Sequence, residues 1–190
     1  EVSATNMFDL KRQTAAVRAD GVAGLVHGSK DAWLIWCDTN EEADALKAAI
    51  GPEAAEIRGN DTTEAKEGRV LDFVSGKTRV LISKPSILGY GLNFQHCANM
   101  AFVGRSFSYE AWYQAVRRCW RFGQTRPVTV HLMVAEGEDQ IGRVIARGVD
   151  CDSYQDARAF FEGGGERGGV GDDAVRVQQL RGGMGGWGEI

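Results

Sequence analysis

The sequence lacks any apolar run that approaches the roughly 20 residues of a membrane-spanning helix, and its mean hydropathy is -0.28. Residues 1–10 carry acids and no apolar core, so we expect no signal peptide. The four cysteines never form a C-x-x-C pair, which argues against that zinc and redox motif and predicts free thiols in a reducing cytoplasm. Membrane proteins, coiled coils, collagens and disulfide scaffolds are therefore excluded.

The nucleotide-binding motifs of independent enzymes are also missing. No G-x-G-x-x-G follows the first apolar run, which argues against a Rossmann dehydrogenase. Gly76-Lys77-Thr78 imitates the end of a P-loop, but Leu71 stands where that motif requires glycine, and no D-E-x-H box is present. His96, Cys97 and Cys119 lack the spacing of metal ligands, so we predict no metal site.

Charge is unevenly distributed along this acidic chain of net charge -4. Residues 38–72 hold ten acids and four bases, a balance of -6. Residues 105–131 hold five arginines and one acid, a balance of +4. A local basic cluster in an acidic protein indicates a specific anionic ligand rather than general polyanion binding.

Eleven of the 25 glycines lie between residues 163 and 188, with one aromatic residue, Trp187. This composition buries too little apolar surface to offset the entropy of ordering, so it predicts a flexible tail. Two Arg-Gly-Gly sequences there, at Arg167 and Arg181, are a weak signal for single-strand binding. We expect a leading helical segment over 1–30, a folded domain over 31–162 and a Gly-rich tail over 163–190.

Short apolar runs alternate with helical patterns between residues 30 and 150. The runs lack period-two alternation, which is typical of parallel strands buried on both faces. Thr39 and Glu42 fit a capping box, and Asp61 is the expected N-cap of the next helix, with Val70, Leu71, Phe73 and Val74 on its buried side. The pattern predicts an α/β fold of three α-β-α layers with a mostly parallel sheet. The predicted strands are 33–37, 56–58, 79–83, 99–103 and 128–134, and the predicted helices are 6–25, 39–50, 61–75, 108–120 and 138–147.

Residues 114–124 are the most informative segment. On a helix, Gln114, Arg118 and Arg121 share one face, and planar guanidinium groups suit phosphate oxygens. The alternative is an ordinary solvated basic face. Trp112 is expected in the core, although base stacking by Trp112 and Tyr113 stays open.

A resemblance to a known family rests on several motifs together. Residues 114–124, Q-x-x-x-R-x-x-R-x-G-Q, resemble the sixth helicase motif, and residues 81–95, with G-x-G-L-N at 89–93, resemble the fifth. Residues 33–38 and 57–76 are similar to the fourth motif and the stretch after it. The chain therefore resembles the C-terminal RecA-like lobe of a Swi/Snf-type superfamily 2 helicase or translocase. It looks most like phage and bacterial members, which implies a bacterial or phage-infected cytoplasm.

The resemblance implies a second motor lobe of an ATP-dependent DNA helicase or translocase. Arg121 would be the arginine finger and Arg118 its partner on the phosphates, while Gln114, Gly91 and Asn93 would line the ATP cleft. ATP with Mg²⁺ would be held mainly by a P-loop-bearing first lobe, in cis or in trans, so this chain alone should hydrolyse ATP negligibly. DNA is the expected partner, with RNA open, and no membrane is expected.

Nucleic-acid contacts are expected from residues that follow the strands and offer amides, hydroxyls or charge to phosphates: Gly59, Ser83, Lys84, Arg105 and Ser106. Ordinary surface charge is the alternative for Lys84 and Arg105. A second functional hypothesis is a non-catalytic nucleic-acid-binding or protein-binding adaptor that keeps the helicase-lobe fold. The paired arginines favour the motor, because an adaptor needs no phosphate clamp.

Overall fold

A computed structural model describes residues 4–88, 92–104, 109–121, 123–135, 175–183 and 186–189. These residues form one seven-stranded sheet in the order β2-β3-β1-β4-β5-β6-β7, in which β1 to β6 run parallel and β7 is antiparallel. The predicted helix over 138–147 lies outside the described residues. The elements are α1 (Ala4–His27), β1 (Trp33–Trp36), α2 (Asn40–Ile50), β2 (Ala54–Ile57), α3 (Thr63–Val74), β3 (Val80–Ser83), β4 (Asn99–Phe102), α4 (Tyr109–Val116), β5 (Val128–Ala135), β6 (Val175–Gly183) and β7 (Gly186–Glu189).

The sheet is buried on both faces, as its uninterrupted apolar runs predict. Within β1, Leu34 and Trp36 face a core that includes Phe73 of α3 and Trp112 of α4. Trp33 and Ile35 face the opposite core, which α1 and α2 cover. Adjacent strand residues point to opposite faces, so this division gives three α-β-α layers and confirms the predicted fold class.

The capping box of α2 is present. The Thr39 hydroxyl accepts a hydrogen bond from the Glu42 amide, and the Glu42 carboxylate accepts one from the Thr39 amide. This reciprocal pair satisfies two amides that a helix start otherwise leaves without partners.

The structure corrects the prediction for α3. Its N-cap is Thr62, whose hydroxyl accepts the Ala65 amide, because the Asp61 carboxylate is already engaged by the Arg58 amide and the Arg69 guanidinium. Phe73 is buried as predicted and Val70 is half-buried, whereas Leu71 and Val74 are exposed. A 12-residue helix against one sheet face presents only a narrow stripe to it.

The structure also differs from the prediction in the glycine-rich segment. Val175–Gly183 forms β6, which pairs with β5 over eight residue positions, and Gly186–Glu189 forms β7. Composition reflects only how much apolar side-chain surface a segment can bury, and not whether its backbone finds a partner. Strand β5 would otherwise present an unpaired row of amides and carbonyls, and backbone pairing supplies partners that need no side chain. Leu180 adds apolar contact by joining the core beneath α1.

Helix α1, the predicted leading helical segment, extends from Ala4 to His27, and part of it lies in the core. The helix buries Ala19, Val22 and Val26 against β1 and α2. It therefore packs on the sheet although it precedes the domain predicted over 31–162. Among the described residues, no helix is both long and apolar enough to cross a bilayer.

Candidate functional site

The chain between β3 and β4 crosses one face of the sheet. It leaves the carboxyl end of β3 at Lys84 and enters the amino end of β4 at Asn99. We refer to residues 84–98 as the crossing loop, of which 84–88 and 92–98 are described. Leu88 and Phe94 are buried in the core on this face, so the crossing loop is anchored by apolar packing.

The segment that follows α4 packs against the second half of the crossing loop. Helix α4 ends at Val116, shorter than the predicted helix through Trp120. We name residues 117–124 the arginine turn, of which 117–121 and 123–124 are described and lie in turns, bends and irregular chain. The Arg118 and Cys119 amides donate three residues back, to the Ala115 and Val116 carbonyls. Such shorter bonds tighten the end of a helix. Arg118 and Arg121 therefore do not continue a helical stripe.

Both arginines nevertheless converge on one atom of the crossing loop. A terminal nitrogen of Arg118 lies 3.4 Å from the Leu92 carbonyl oxygen, and a terminal nitrogen of Arg121 lies 3.3 Å from the same oxygen. The Phe94 amide donates to the Arg118 carbonyl at 2.8 Å. Direct hydrogen bonds thus join the two arginines of the sixth-motif segment to the crossing loop, which contains the fifth-motif segment.

Three further contacts fix the end of the arginine turn. The Gln124 side-chain amide donates to the carbonyls of Cys97 and Cys119, and a terminal nitrogen of Arg126 donates to the His96 carbonyl at 2.8 Å. Gly123 has φ +92°, and a Cβ there would lie 2.9 Å from the Gln95 side-chain nitrogen. The positive φ is what favours glycine at this position, because the Gln95 side chain ends in a flexible amide that can move aside.

The predicted nucleotide-binding residues differ in exposure. Arg118 is buried, Arg121 is half-buried, and Gln114 and Asn93 are exposed. Gly91 lies outside the described residues. Trp112 is buried against Phe102, with ring centroids 6.2 Å apart, so its role is core packing rather than base stacking.

The carboxyl ends of the strands bring two of the predicted nucleic-acid residues to one edge. Register places Ile57, Ser83, Trp36 and Phe102 side by side, so Gly59 and Lys84 follow at the same edge. Lys84 is half-buried and lies close enough to Cys37 for its charge to affect that thiol. Burial raises the pKa of the Cys37 thiol to about 12, whereas the Lys84 charge acts to lower it.

Ser83 requires a correction. Its side chain is buried, and its hydroxyl donates to the Ile57 carbonyl of the neighbouring strand at 3.1 Å. The last residue of a central parallel strand is still enclosed by its neighbours, so Ser83 stabilises the sheet and offers no hydroxyl to a phosphate. Arg105 and Ser106 lie outside the described residues.

A buried ion pair organises the same edge from the opposite face. Arg18 of α1 and Glu42 of α2 are both fully buried and lie 2.8 Å apart. Arg18 also donates to the Val103 carbonyl at the end of β4. The Glu42 pKa is lowered, since the Arg18 charge and hydrogen bonds from Asp38 and Thr39 outweigh its burial, the largest single influence, which acts in the opposite direction.

The described residues include no group of three or more His, Cys, Asp or Glu side chains that could hold a metal ion. The arginine turn offers cationic donors, which suit phosphate oxygens and not a cation. Cys97 and Cys119 are both buried, and burial with a hydrogen bond between the two raises the Cys119 pKa. They behave as core thiols.

Sequence reasoning missed the roles of Gln124, Arg126 and Arg18. In the sequence, Gln124 is only the last residue of the pattern that resembles the sixth helicase motif. Arg18 carries a readable signal, because it is a charged residue within the otherwise apolar side of α1 formed by Ala15, Ala19 and Val22.

Comparisons with known proteins identify the family and the fold of the chain. Residues 20–123 match the family described as "Helicase conserved C-terminal domain", which is more than half of the chain. Matching solved structures number 154 chains and include the C-terminal part of the Fun30 ATPase domain, at 20% identity and a TM-score of 0.60. That match covers 72% of this chain but only 47% of the other, so the chain spans about half of its length. A search of curated proteins gave no match.

The family match contains the crossing loop and the arginine turn up to Gly123, and the structural match shows the shared fold. The chain belongs to the helicase conserved C-terminal domain family and has the fold of a RecA-like α/β lobe.

Proposed function

We propose that the chain is the second motor lobe of a Swi/Snf-like ATP-dependent DNA helicase or translocase, and that Arg121 is its arginine finger. The convergence of Arg118 and Arg121 on the Leu92 carbonyl supports this proposal best. A carbonyl oxygen is a weak, neutral acceptor, so two guanidinium groups around it can add or exchange a bond to an anionic phosphate at low cost.

The two arginines have different roles in this proposal. Arg118 is buried and holds the crossing loop, whereas Arg121 is half-buried and forms no ion pair with a carboxylate in the part of the chain that the structure describes. Phosphoryl transfer depends on positioning and on stabilising negative charge, and an arginine supplied by a neighbouring domain contributes roughly 10³–10⁵-fold in rate. ATP and Mg²⁺ would be held mainly by a P-loop-bearing first lobe, with Gln114 and Asn93 near the cleft.

The ATPase proposal is tested by combining the chain with a P-loop-bearing first lobe of a superfamily 2 ATPase, MgATP and DNA. We expect ATP hydrolysis only with both lobes, and a fall in kcat of about 10³-fold or more for Arg121→Ala. Arg176→Ala, an exposed arginine on β6, is the matched control and should leave kcat unchanged. Hydrolysis that is indifferent to Arg121 would contradict the motor function. DNA binding that ignores both ATP and the arginines would favour the adaptor.

Nucleic acid would contact the carboxyl edge through Lys84 and the backbone at Gly59. These residues follow adjacent strands, and the lysine has no carboxylate partner among the described residues. Phosphate contacts of this kind are independent of sequence and weaken with salt.

We therefore expect Lys84→Ala to weaken DNA binding about equally for all sequences and to reduce the salt slope by about one. Lys30→Ala, an exposed lysine next to the amino end of β1, serves as the control. The measurement is a titration of labelled duplex at several salt concentrations. Equal effects of the two substitutions would contradict this placement of the DNA. The same titration with RNA would show which nucleic acid binds more tightly.

A further inference from the structure

We infer that Gln124 is a positioning residue for ATP hydrolysis, which holds the arginine turn and the crossing loop as one unit without contacting ATP. The inference rests on the proposed function, because it assigns Gln124 a role in presenting Arg121. The family resemblance supplies the arginines, whereas the role of Gln124 follows from its contacts.

The side chain of Gln124 bridges three backbone groups. Its amide nitrogen donates to the Cys97 carbonyl at 3.1 Å and to the Cys119 carbonyl at 3.4 Å, and its oxygen accepts the Arg126 amide at 3.1 Å. The residue is only 4% exposed. An amide has two donor hydrogens and an acceptor oxygen, so one buried side chain satisfies all three groups.

The bridged groups belong to the two segments that matter for the site. Cys97 is the last but one residue of the crossing loop, and Cys119 lies between Arg118 and Arg121 in the arginine turn. At Cys97, the Gln124 side chain therefore fixes the distance between the crossing loop and the arginine turn. At Leu92 and Phe94, the same distance is fixed by other contacts: the Leu92 carbonyl accepts from both arginines, and the Phe94 amide donates to the Arg118 carbonyl.

Loss of the Gln124 bonds would leave the Cys97 and Cys119 carbonyls without this partner in a buried environment. Buried groups regain partners by shifting towards other donors or water. We expect the arginine turn to shift, because it is not held by the hydrogen bonds of a regular helix. A displacement of about 1 Å in a catalytic group can cost on the order of 100-fold in rate. The Gln124 contacts thus serve the geometry of Arg121 as well as stability.

The test uses the two-lobe ATPase assay described above, with Gln124→Met, which keeps the length of the side chain and removes its three hydrogen bonds. We expect kcat to fall about 10-fold to 100-fold, while KM for ATP stays within about twofold because the first lobe binds the substrate. The assay is run well below the melting temperature of each variant. A residue that only stabilises the fold would leave kcat of the folded protein unchanged.

Gln13→Met, at an exposed position on α1, is the matched control. Gln124→Glu is the second variant, since it keeps the acceptor for Arg126 but places a carboxylate against two carbonyls, and it should also lower kcat. Unchanged kcat in a folded Gln124 variant, or failure of both variants to fold, overturns the inference while the Arg121 dependence still supports the proposed function. If Arg121→Ala leaves ATP hydrolysis by the two combined lobes unchanged, both the inference about Gln124 and the proposed function are overturned.

Discussion

Gly104, at the end of β4, has no room for a side chain. A Cβ there would lie 2.8 Å from a Glu42 carboxylate oxygen and 3.0 Å from a terminal nitrogen of Arg18. Both neighbours are fully buried and bonded to each other, so neither can move away without loss of the pair. The glycine is required by close approach rather than by an unusual backbone angle.

We expect Gly104→Ala to lower the free energy of unfolding by about 1–3 kcal/mol, the usual cost of overpacking. Gly68→Ala is the matched control, because Gly68 lies in α3 with nothing within 4 Å of its added Cβ. It should stabilise the protein by about 0.5–1 kcal/mol through helix propensity. Urea denaturation of both variants gives the comparison, and equal effects would contradict the crowding at Gly104.

The Arg18–Glu42 pair provides a second prediction for a single residue. Arg18→Met leaves the buried Glu42 carboxylate without its cation and should cost about 3–5 kcal/mol. Arg12→Met removes an exposed pair with Glu41, 3.4 Å apart, and should cost less than about 1 kcal/mol. Thermal unfolding of the two variants under one buffer condition compares them. A similar small loss in both would show that Arg18 is solvated.

His131 gives the protein a pH-dependent stability. It is buried beside Trp33, with ring centroids 5.3 Å apart, and burial lowers its pKa to about 4. The unfolded chain takes up this proton near pH 6.5, so stability falls as pH drops from about 6.5 towards 4, by up to about 3 kcal/mol. Burial also lowers the His96 pKa, which adds a loss in the same direction.

We therefore expect His131→Phe to reduce the difference in unfolding free energy between pH 7.5 and pH 5, without removing it. Both pH values lie above the range in which Glu42 would be protonated, since its folded pKa is lowered and its contribution is lost only as pH falls through that value. Urea titrations at the two pH values measure the difference. An unchanged difference would mean that His131 is protonated in the folded state.

At the level of helices and strands, backbone pairing explains what composition did not. Strand β6 is rich in polar residues and glycine but covers the edge of β5 over eight positions. The sequence alone predicts a flexible segment here, because each paired residue of β5 lies 47 positions earlier in the chain. Pairing between distant segments leaves no local pattern.

Removal of residues 175–190 should lower the melting temperature and promote self-association, because it exposes the β5 edge. Loss of the Leu180 contact alone corresponds to about 1.5–3 kcal/mol. A chain that ends at Gly183 keeps β6 and lacks only β7, so it should remain close to wild type. Thermal melts with light scattering measure both properties. Equal behaviour of the two truncations would contradict the role of β6.

The elements that were predicted correctly are those with strong local signals. The β1 run of four buried residues and the Thr39–Glu42 capping box need no information from elsewhere in the chain. The exposure of Leu71 and the end of α4 at Val116 were not predictable, since they depend on how each helix meets the sheet and the crossing loop. The convergence of two arginines on Leu92 is likewise a tertiary result, although the motif predicts that both arginines belong to the site.

At the level of the whole molecule, the two candidate surfaces lie at different places on the sheet. The carboxyl edge carries Lys84 and Gly59, whereas the arginine turn packs on the face that the crossing loop traverses. The crossing loop begins at the first surface and ends at the second. One continuous, core-anchored segment therefore contacts both the proposed nucleic-acid surface and the proposed ATP cleft.

The position of Arg18 matters to anyone who trims this chain for expression. The family match begins at residue 20, in the middle of α1, two residues after the arginine that neutralises Glu42. A fragment that begins at residue 20 would keep the buried Glu42 carboxylate under a shortened α1 but would lack Arg18, its only cationic partner among the described residues. Recombinant fragments should therefore begin before α1, even though the recognisable family pattern starts inside it.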